Sequence, residues 1–313
     1  MADLKDVIRP PFANYDVVVY FGCGLFSLPF ALHYIPAPKL RAFLSLGLDT
    51  GVEFADAAVA TLFLLFCVYF IGHLLAFLSS LFIEKTVDIL LGKMSSAVLL
   101  ANQRKVDETA TETIRAWIKE RWRRAWAPGR KLKFLARLIV LAPVSLAFAG
   151  TYGIKWFGYF GSRIPPEVYA KIGSELSRRG LAAPTVSREW YKAAEHVVIN
   201  NDPSAVPRMY NYLVISGLFR SLAFLFVCCA WMEMVRLSGA VWEEVFFANQ
   251  INDAAIVLRL AIFNALFAFS IISYIKFARR YVEEMLFALA LRDRVEVASA
   301  SPPNRRSSTR ASG

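Results

Sequence analysis

Residues 57–83 read AAVATLFLLFCVYFIGHLLAFLSSLFI, without one Asp, Glu, Lys or Arg, and the charged pair Glu84-Lys85 follows at once. A hydrocarbon slab of about 30 Å needs roughly 20 helical residues to cross it, so this run is long enough to span a bilayer. Residues 17–35 and 213–235 qualify on the same ground. Residues 260–275 are fewer, but Val257 and Leu258 precede them and Arg259 can carry its guanidinium outward on an apolar stem, so a tilted span fits. A fifth run, 138–154, is interrupted by Pro143 and Gly150. No segment alternates polar and apolar residues as a strand does. The pattern predicts an all-α integral membrane protein of four transmembrane helices.

The composition agrees. The 313 residues are 57% hydrophobic and 19% charged, more apolar surface than one soluble core of this length requires. A formal net charge of +11 would suggest nucleic acid in a soluble protein. Here the basic residues sit between apolar runs, where membrane topology calls for them, so nucleic acid is not expected as a partner. Cys23, Cys67, Cys228 and Cys229 all fall inside apolar runs, where a thiol acts as a small hydrophobe. With three histidines, His33, His73 and His196, and no CxxC pair, no metal site is expected. The first run ends in Tyr34-Ile35-Pro36 rather than in a small-x-small cleavage pattern and reads as an uncleaved span.

Orientation follows from positive charge, which short cytoplasmic loops retain. Residues 84–133 hold twelve Lys and Arg, 155–212 hold eight, and the segment after Ile275 holds eight, whereas 236–256 hold only Arg236 beside Glu243, Glu244 and Asp253. Five spans would break the rule at three of these segments; four break it nowhere. The expected arrangement places both termini in the cytoplasm of a cell inner membrane, with a cytoplasmic amino terminus at 1–16. Spans follow at 17–35, 57–83, 213–235 and 257–275, with outer loops at 36–56 and 236–256. A helical cytoplasmic region, 84–212, is inserted between the second and third spans, and a cytoplasmic helix with a basic tail occupies 276–313. Residues 138–154 then form a buried or membrane-skimming helix. The aromatic stretch Lys155-Trp156-Phe157-Gly158-Tyr159-Phe160 suits an interfacial belt and supports the five-span alternative.

Inside the inserted region, Ile114, Trp117, Ile118, Trp122, Ala125 and Trp126 recur at helical spacing, with Arg115, Lys119, Glu120, Arg123 and Arg124 between them. Two readings of this basic amphipathic helix stand side by side. Trp117, Trp122 and Trp126 could sit at headgroup depth while Arg123 and Arg124 reach the phosphates of an anionic inner leaflet. Alternatively the same stripe packs against the rest of the region. Pro128-Gly129 ends the helix, and 165–180 and 187–200 read as short helices, the second with Ser187 as a possible cap.

Polar residues inside a bilayer cost about 2.5–3.5 kcal/mol for a centred charge on insertion scales, so each is a candidate for function. Three stand out: His73, Arg220 and Asn264, all expected in the inner half of the membrane and able to meet in one polar layer. The plainer alternative pairs Arg220 with Glu84 at the inner mouth and leaves His73 and Asn264 to ordinary interhelical bonds. Ser79-Ser80 lacks the glycines of a nucleophile elbow, Gly22-Cys23-Gly24 reads as a close packing point between helices, and Glu195-His196 reads as a surface pair. No catalytic residue, cofactor site or metal site is expected.

Three pieces resemble a family of four-span bacterial inner-membrane proteins with no assigned activity. They are Tyr20-Phe21-Gly22-Cys23-Gly24-Leu25-Phe26, the segment from Gly72-His73 through Ser79-Ser80 to Glu84-Lys85, and Arg208-Met209-Tyr210-Asn211-Tyr212 leading to Phe219-Arg220. Ala76 stands where the family pattern has a serine. The resemblance implies four spans and brings no activity. The expected function is a membrane scaffold, sensor or effector acting through its cytoplasmic region, with the lipid bilayer, a second copy of the chain and an unidentified cytoplasmic protein as partners. The competing classes are an oligomeric channel or transporter and, with least support, a membrane-embedded enzyme, which lacks a nucleophile, carboxylate pair or metal set.

Overall fold

Within the described residues the apolar runs are helical, because only a helix satisfies all backbone donors and acceptors within one segment away from water. The computed structural model describes residues 15–35, 38–39, 53–103, 110–151, 164–178, 188–202, 204–238 and 253–291, and among these there is no strand. Four helices among the described residues are long and apolar enough to cross a membrane: Asp16–Tyr34, Ala55–Leu100, Ala205–Leu237 and Ala254–Ala290. The 36–56 loop, most of the 236–256 loop, the aromatic stretch 155–160, Ser187 and the basic tail lie wholly or largely outside the described residues.

The first span opens with a π-helical turn, Asp16–Phe21, and continues as α1, Gly22–Tyr34. The second is α2, Glu53–Ser79, followed by a π-helical turn Ser80–Glu84 and by α3, Lys85–Leu90. Gly24 and Gly72 set the distance between these spans. A Cβ on Gly24 would overlap the Val68 carbonyl, and one on Gly72 would overlap the Tyr20 carbonyl, so the two helices touch backbone to backbone. Gly72→Ala should therefore lower stability in detergent by about 2–3 kcal/mol, the upper part of the overpacking range, because the obstructing atoms are backbone and the helices must move apart. A melting temperature equal to that of the wild type would contradict this packing. Along the outer side of α2, Leu62, Phe66, Phe70 and Phe77 are each more than half exposed, a stripe suited to hydrocarbon rather than to water.

Residues 85–103 turn at Gly92, whose φ of 82° favours glycine, and continue as α4, Met94–Gln103. Next come α5, Ala110–Ala125, and α6, Lys131–Val140, joined by Pro128-Gly129, where Gly129 also has positive φ. The expected membrane-skimming helix at 138–154 begins earlier and is broken. α6 bends by 62° into α7, Ala142–Thr151. Pro143 has no N–H, and the Val144 N–H turns back to the Leu141 carbonyl at 3.1 Å, so the Val140 carbonyl is left without a helical donor.

α8, Pro166–Arg178, and α9, Arg188–Asn201, lead to the two longest helices, α10, Ala205–Leu237, and α11, Asp253–Leu291. Asp202 caps α10, its Oδ1 accepting from the Ser204 and Ala205 N–H groups at 3.1 Å each. With 33 and 39 residues, α10 and α11 run about 50 and 58 Å at 1.5 Å per residue, well beyond the hydrocarbon thickness. The helix expected after Ile275 is a continuation of α11, held there by an i,i+4 pair between Arg279 and Glu283 at 2.7 Å.

The projecting ends build a second core. Ala205 and Met209 of α10 and Val282, Met285, Leu286 and Leu289 of α11 pack with Val98 and Leu99 of α4, Ile172 of α8 and Trp190, Ala194 and Val198 of α9. This is the capped end of the bundle. The larger core joins the spans themselves, with Phe263, Phe267, Ile271 and Ile275 of α11 against Ala223, Phe224, Val227 and Ala230 of α10.

Candidate functional site

Where the spans meet the cap, the π-helical turn widens α2 just as its apolar run ends, and Glu84 closes that turn facing α10. Arg220 forms an ion pair with Glu84, and its Nε donates to Ser79 Oγ at 3.3 Å. Ser80 Oγ donates to Glu84 Oε2 at 2.9 Å, and Ser79 Oγ donates to the Ala76 carbonyl at 2.8 Å. The pair is partly buried, with side-chain exposures of 15% for Arg220 and 31% for Glu84. It lines a cavity of about 210 Å³ in which Glu84 and Asp88 stand with Arg220 and Lys93, so the fixed charges balance. Tyr191 also lines this cavity, and its buried hydroxyl has no hydrogen-bond partner among the described residues. Burial holds this phenol well above its ordinary range, so it remains a neutral donor.

A second and larger cavity, about 620 Å³, opens beside it. Its lining includes Lys85, Arg121, Arg130, Lys133 and Arg137, and no Asp or Glu among the described residues lines it. Arg137 Nε donates to the Leu81 carbonyl at 3.0 Å, and Arg121 Nη1 donates to the Asp88 carbonyl at 2.6 Å, so both guanidinium groups are fixed to the end of the second span and to α3.

The tryptophans of α5 divide between two environments. Trp117 packs onto Gly92, where a Cβ would overlap its ring, and Arg121 lies over that ring at 4.5 Å. Trp117 thus faces protein. Trp122 and Trp126 are 38% and 44% exposed and meet the buried Phe134 edge-on at 6.2 and 5.7 Å. Arg123 and Arg124 both bind Glu120, at 2.7 and 2.8 Å, on the exposed side of α5. Arg124's hydrogen bond is the main cause holding the Glu120 carboxyl below its ordinary value.

His73, Arg220 and Asn264 are engaged with different neighbours rather than with one another in the hydrogen bonds and ring contacts of the described residues. His73 stacks on Tyr20, ring centroids 3.6 Å apart, with Tyr69 edge-on at 4.6 Å, so it serves the contact of the first two spans. Asn264 Nδ2 donates to the Pro143 carbonyl at 3.2 Å and to the Leu260 carbonyl at 2.9 Å, and Trp231 Nε1 donates to the Val140 carbonyl at 2.8 Å. Two span side chains therefore satisfy the backbone at the break between α6 and α7. Trp231→Phe with Asn264→Leu should cost about 2 kcal/mol together, near 1 for each interhelical bond. An unchanged unfolding midpoint would show that the broken helix does not depend on these donors. Glu195 and His196 also part company, the first accepting from the Tyr281 hydroxyl and the second meeting Asn200 at 2.9 Å.

A charged cluster at the opposite end of the bundle was not visible in the apolar pattern. Glu233 is fully buried; the Tyr34 hydroxyl donates to its Oε1 at 2.6 Å and Arg259 Nε at 3.0 Å, while Arg236 Nη1 lies 3.8 Å away. Arg236 also lies over the Tyr34 ring at 5.4 Å. One carboxylate joins α1, α10 and α11. The available signal was the presence of one acid inside the run 213–235.

No protein family, curated protein or solved structure matches the chain.

Proposed function

We propose that the chain is a four-span protein of a cell inner membrane, with both termini and the capped end in the cytoplasm. We read the capped end as a scaffold or sensor at an anionic leaflet. The observation that carries the reading is the shared core at that end. α4 precedes the bent pair α6–α7, α8 and α9 follow it, and all three pack together with the projecting ends of α10 and α11. A bent pair that crossed the bilayer would leave α4 and α8 on opposite sides. This favours a re-entrant element that leaves by the face it entered, and the twelve Lys and Arg of 84–133 then fall on one side with the eight of 155–212.

On that side α5 and α6 offer Trp122 and Trp126 together with Leu132, which is 79% exposed, beside Arg123 and Arg124. Exposed aromatic and aliphatic groups flanked by bases suit the interface of an anionic leaflet. Arg121 ties α5 to the Asp88 carbonyl of α3, and the Glu84–Arg220 pair one turn earlier ties the second span to α10, so a change in lipid charge sensed at α5 can reach α10. A cysteine placed at Leu132 and labelled with a polarity-sensitive fluorophore tests the reading in nanodiscs. Emission should shift to the blue and be quenched by brominated lipid when phosphatidylglycerol is present, and Arg123→Glu with Arg124→Glu should remove both effects. Water-like emission in every lipid would refute it.

One observation favours a second reading, an oligomeric channel or transporter. Irregular backbone at membrane depth is tolerated where protein buries it or where it lines a cavity, and the α6–α7 break is of that kind. Ion or solute flux through proteoliposomes, altered by Asn264→Leu, would support it; no flux above empty vesicles would leave the scaffold reading in place.

A further inference from the structure

The larger cavity concentrates positive charge beyond what the fold needs. Lys85 opens α3 and Lys93 follows it, Arg121 and Arg124 come from α5, and Arg130, Lys133 and Arg137 from around α6. Among the described residues no carboxylate lines the cavity; outside it Glu120 offsets one charge through Arg124, and Asp88, in the neighbouring cavity, faces Lys93, Lys85 and Arg121 and offsets a second, which leaves most of the seven cations uncompensated. Gathering so many cations around one concavity is opposed by their mutual repulsion, which a bound anion relieves. The fixed guanidinium groups of Arg121 and Arg137 present planar donors at set positions, the arrangement that suits phosphate oxygens, while the lysines supply movable charge. A single carboxylate would neutralise only a small part of this field. Ile89 and Phe134 also line the cavity and give it apolar surface beside the charge.

We propose that this cavity binds a group bearing two phosphates, a diphosphate or bisphosphate. Two sources share that chemistry: the headgroup of a lipid with two phosphates and a soluble polyphosphate. The Arg137 bond to the Leu81 carbonyl puts the cavity at the end of the second span, within reach of a headgroup. The lipid source alone rests on the reading of the capped end as the side of an anionic leaflet; phosphate binding itself does not.

The test uses the full chain. In neutral detergent, inorganic pyrophosphate is titrated calorimetrically against wild type, against Lys85→Gln/Lys133→Gln, and against Lys171→Gln/Lys192→Gln, which removes equal charge elsewhere. All four lysines are exposed, and equal melting temperatures confirm that each variant is folded. Pyrophosphate should bind saturably, more tightly than orthophosphate, with at least a tenfold loss in the cavity variant and less than a twofold change in the control. Cardiolipin in nanodiscs then separates the sources. Competition with pyrophosphate identifies the lipid headgroup, and absence of competition identifies a soluble anion; either keeps the site. No saturable pyrophosphate binding, or equal losses in the two variants, overturns it. Failure of the leaflet reading shows separately, as water-like emission from the Leu132 probe while pyrophosphate still binds.

Discussion

Replacing Glu233 by leucine is expected to lower the stability of the detergent-solubilised protein by about 3–5 kcal/mol, the cost of breaking a buried ion pair by removing one partner. Glu233 is 0% exposed and Arg236 5%, and the Arg259 side chain is 24% exposed, so water can do little to replace the lost carboxylate. Leucine fills a similar volume, which leaves charge as the changed quantity. The Tyr34 hydroxyl loses its acceptor at the same time, and with it the tie from α1 to α10. The double variant Glu233→Leu/Arg259→Leu should recover part of the loss, since one stranded charge goes with its partner. A Glu233→Leu protein that melts with the wild type would remove the cluster from any structural role.

Arg220→Leu is expected to cost about 3 kcal/mol, the lower end of the same range, because Glu84 keeps 31% of its side chain exposed and Ser80 Oγ as a donor. The informative quantity is the coupling. Glu84→Leu alone should destabilise by a similar amount, and the double variant by much less than the sum, giving an interaction of at least about 1 kcal/mol in a double-mutant cycle. The same cycle in the Leu132 probe experiment asks whether the pair transmits. Wild-type lipid response in either single variant would deny the pair that role, and additive losses would reduce it to two separate contacts.

The long apolar runs were legible because apolarity adds up along the chain without reference to neighbours, and four candidate spans follow from it directly. The extents of α10 and α11 were less so. Lys276, Arg279 and Arg280 look like a charged stop, yet Lys276 and Arg280 stay exposed while Arg279 turns in to the buried Glu283, and the helix runs on into the second core through Val282, Met285 and Leu286. Pairing was the harder question. His73, Arg220, Asn264 and Glu84 all announced themselves as polar groups in or beside apolar runs, but which of them meet depends on helix rotation, and rotation leaves no mark in hydropathy. Asn264 finds the Pro143 carbonyl 121 residues away, a partner that exists only because Pro143 breaks a helix. Glu233 was hidden by its surroundings, since a single acid barely lowers the mean of a run containing Phe224, Leu225, Phe226 and Val227.

The account depends most on the capped end lying in the cytoplasm with the bent pair re-entering rather than crossing. The direct measurement is cysteine accessibility in intact cells, on a background with Cys23, Cys67, Cys228 and Cys229 replaced, using single probes at Ser174 on α8 and Ser238 just past α10. A membrane-impermeant maleimide should label Ser238→Cys in intact cells and Ser174→Cys only after permeabilisation. Labelling of Ser174→Cys in intact cells with protection of Ser238→Cys would mean that the bent pair crosses the bilayer, and would contradict the account.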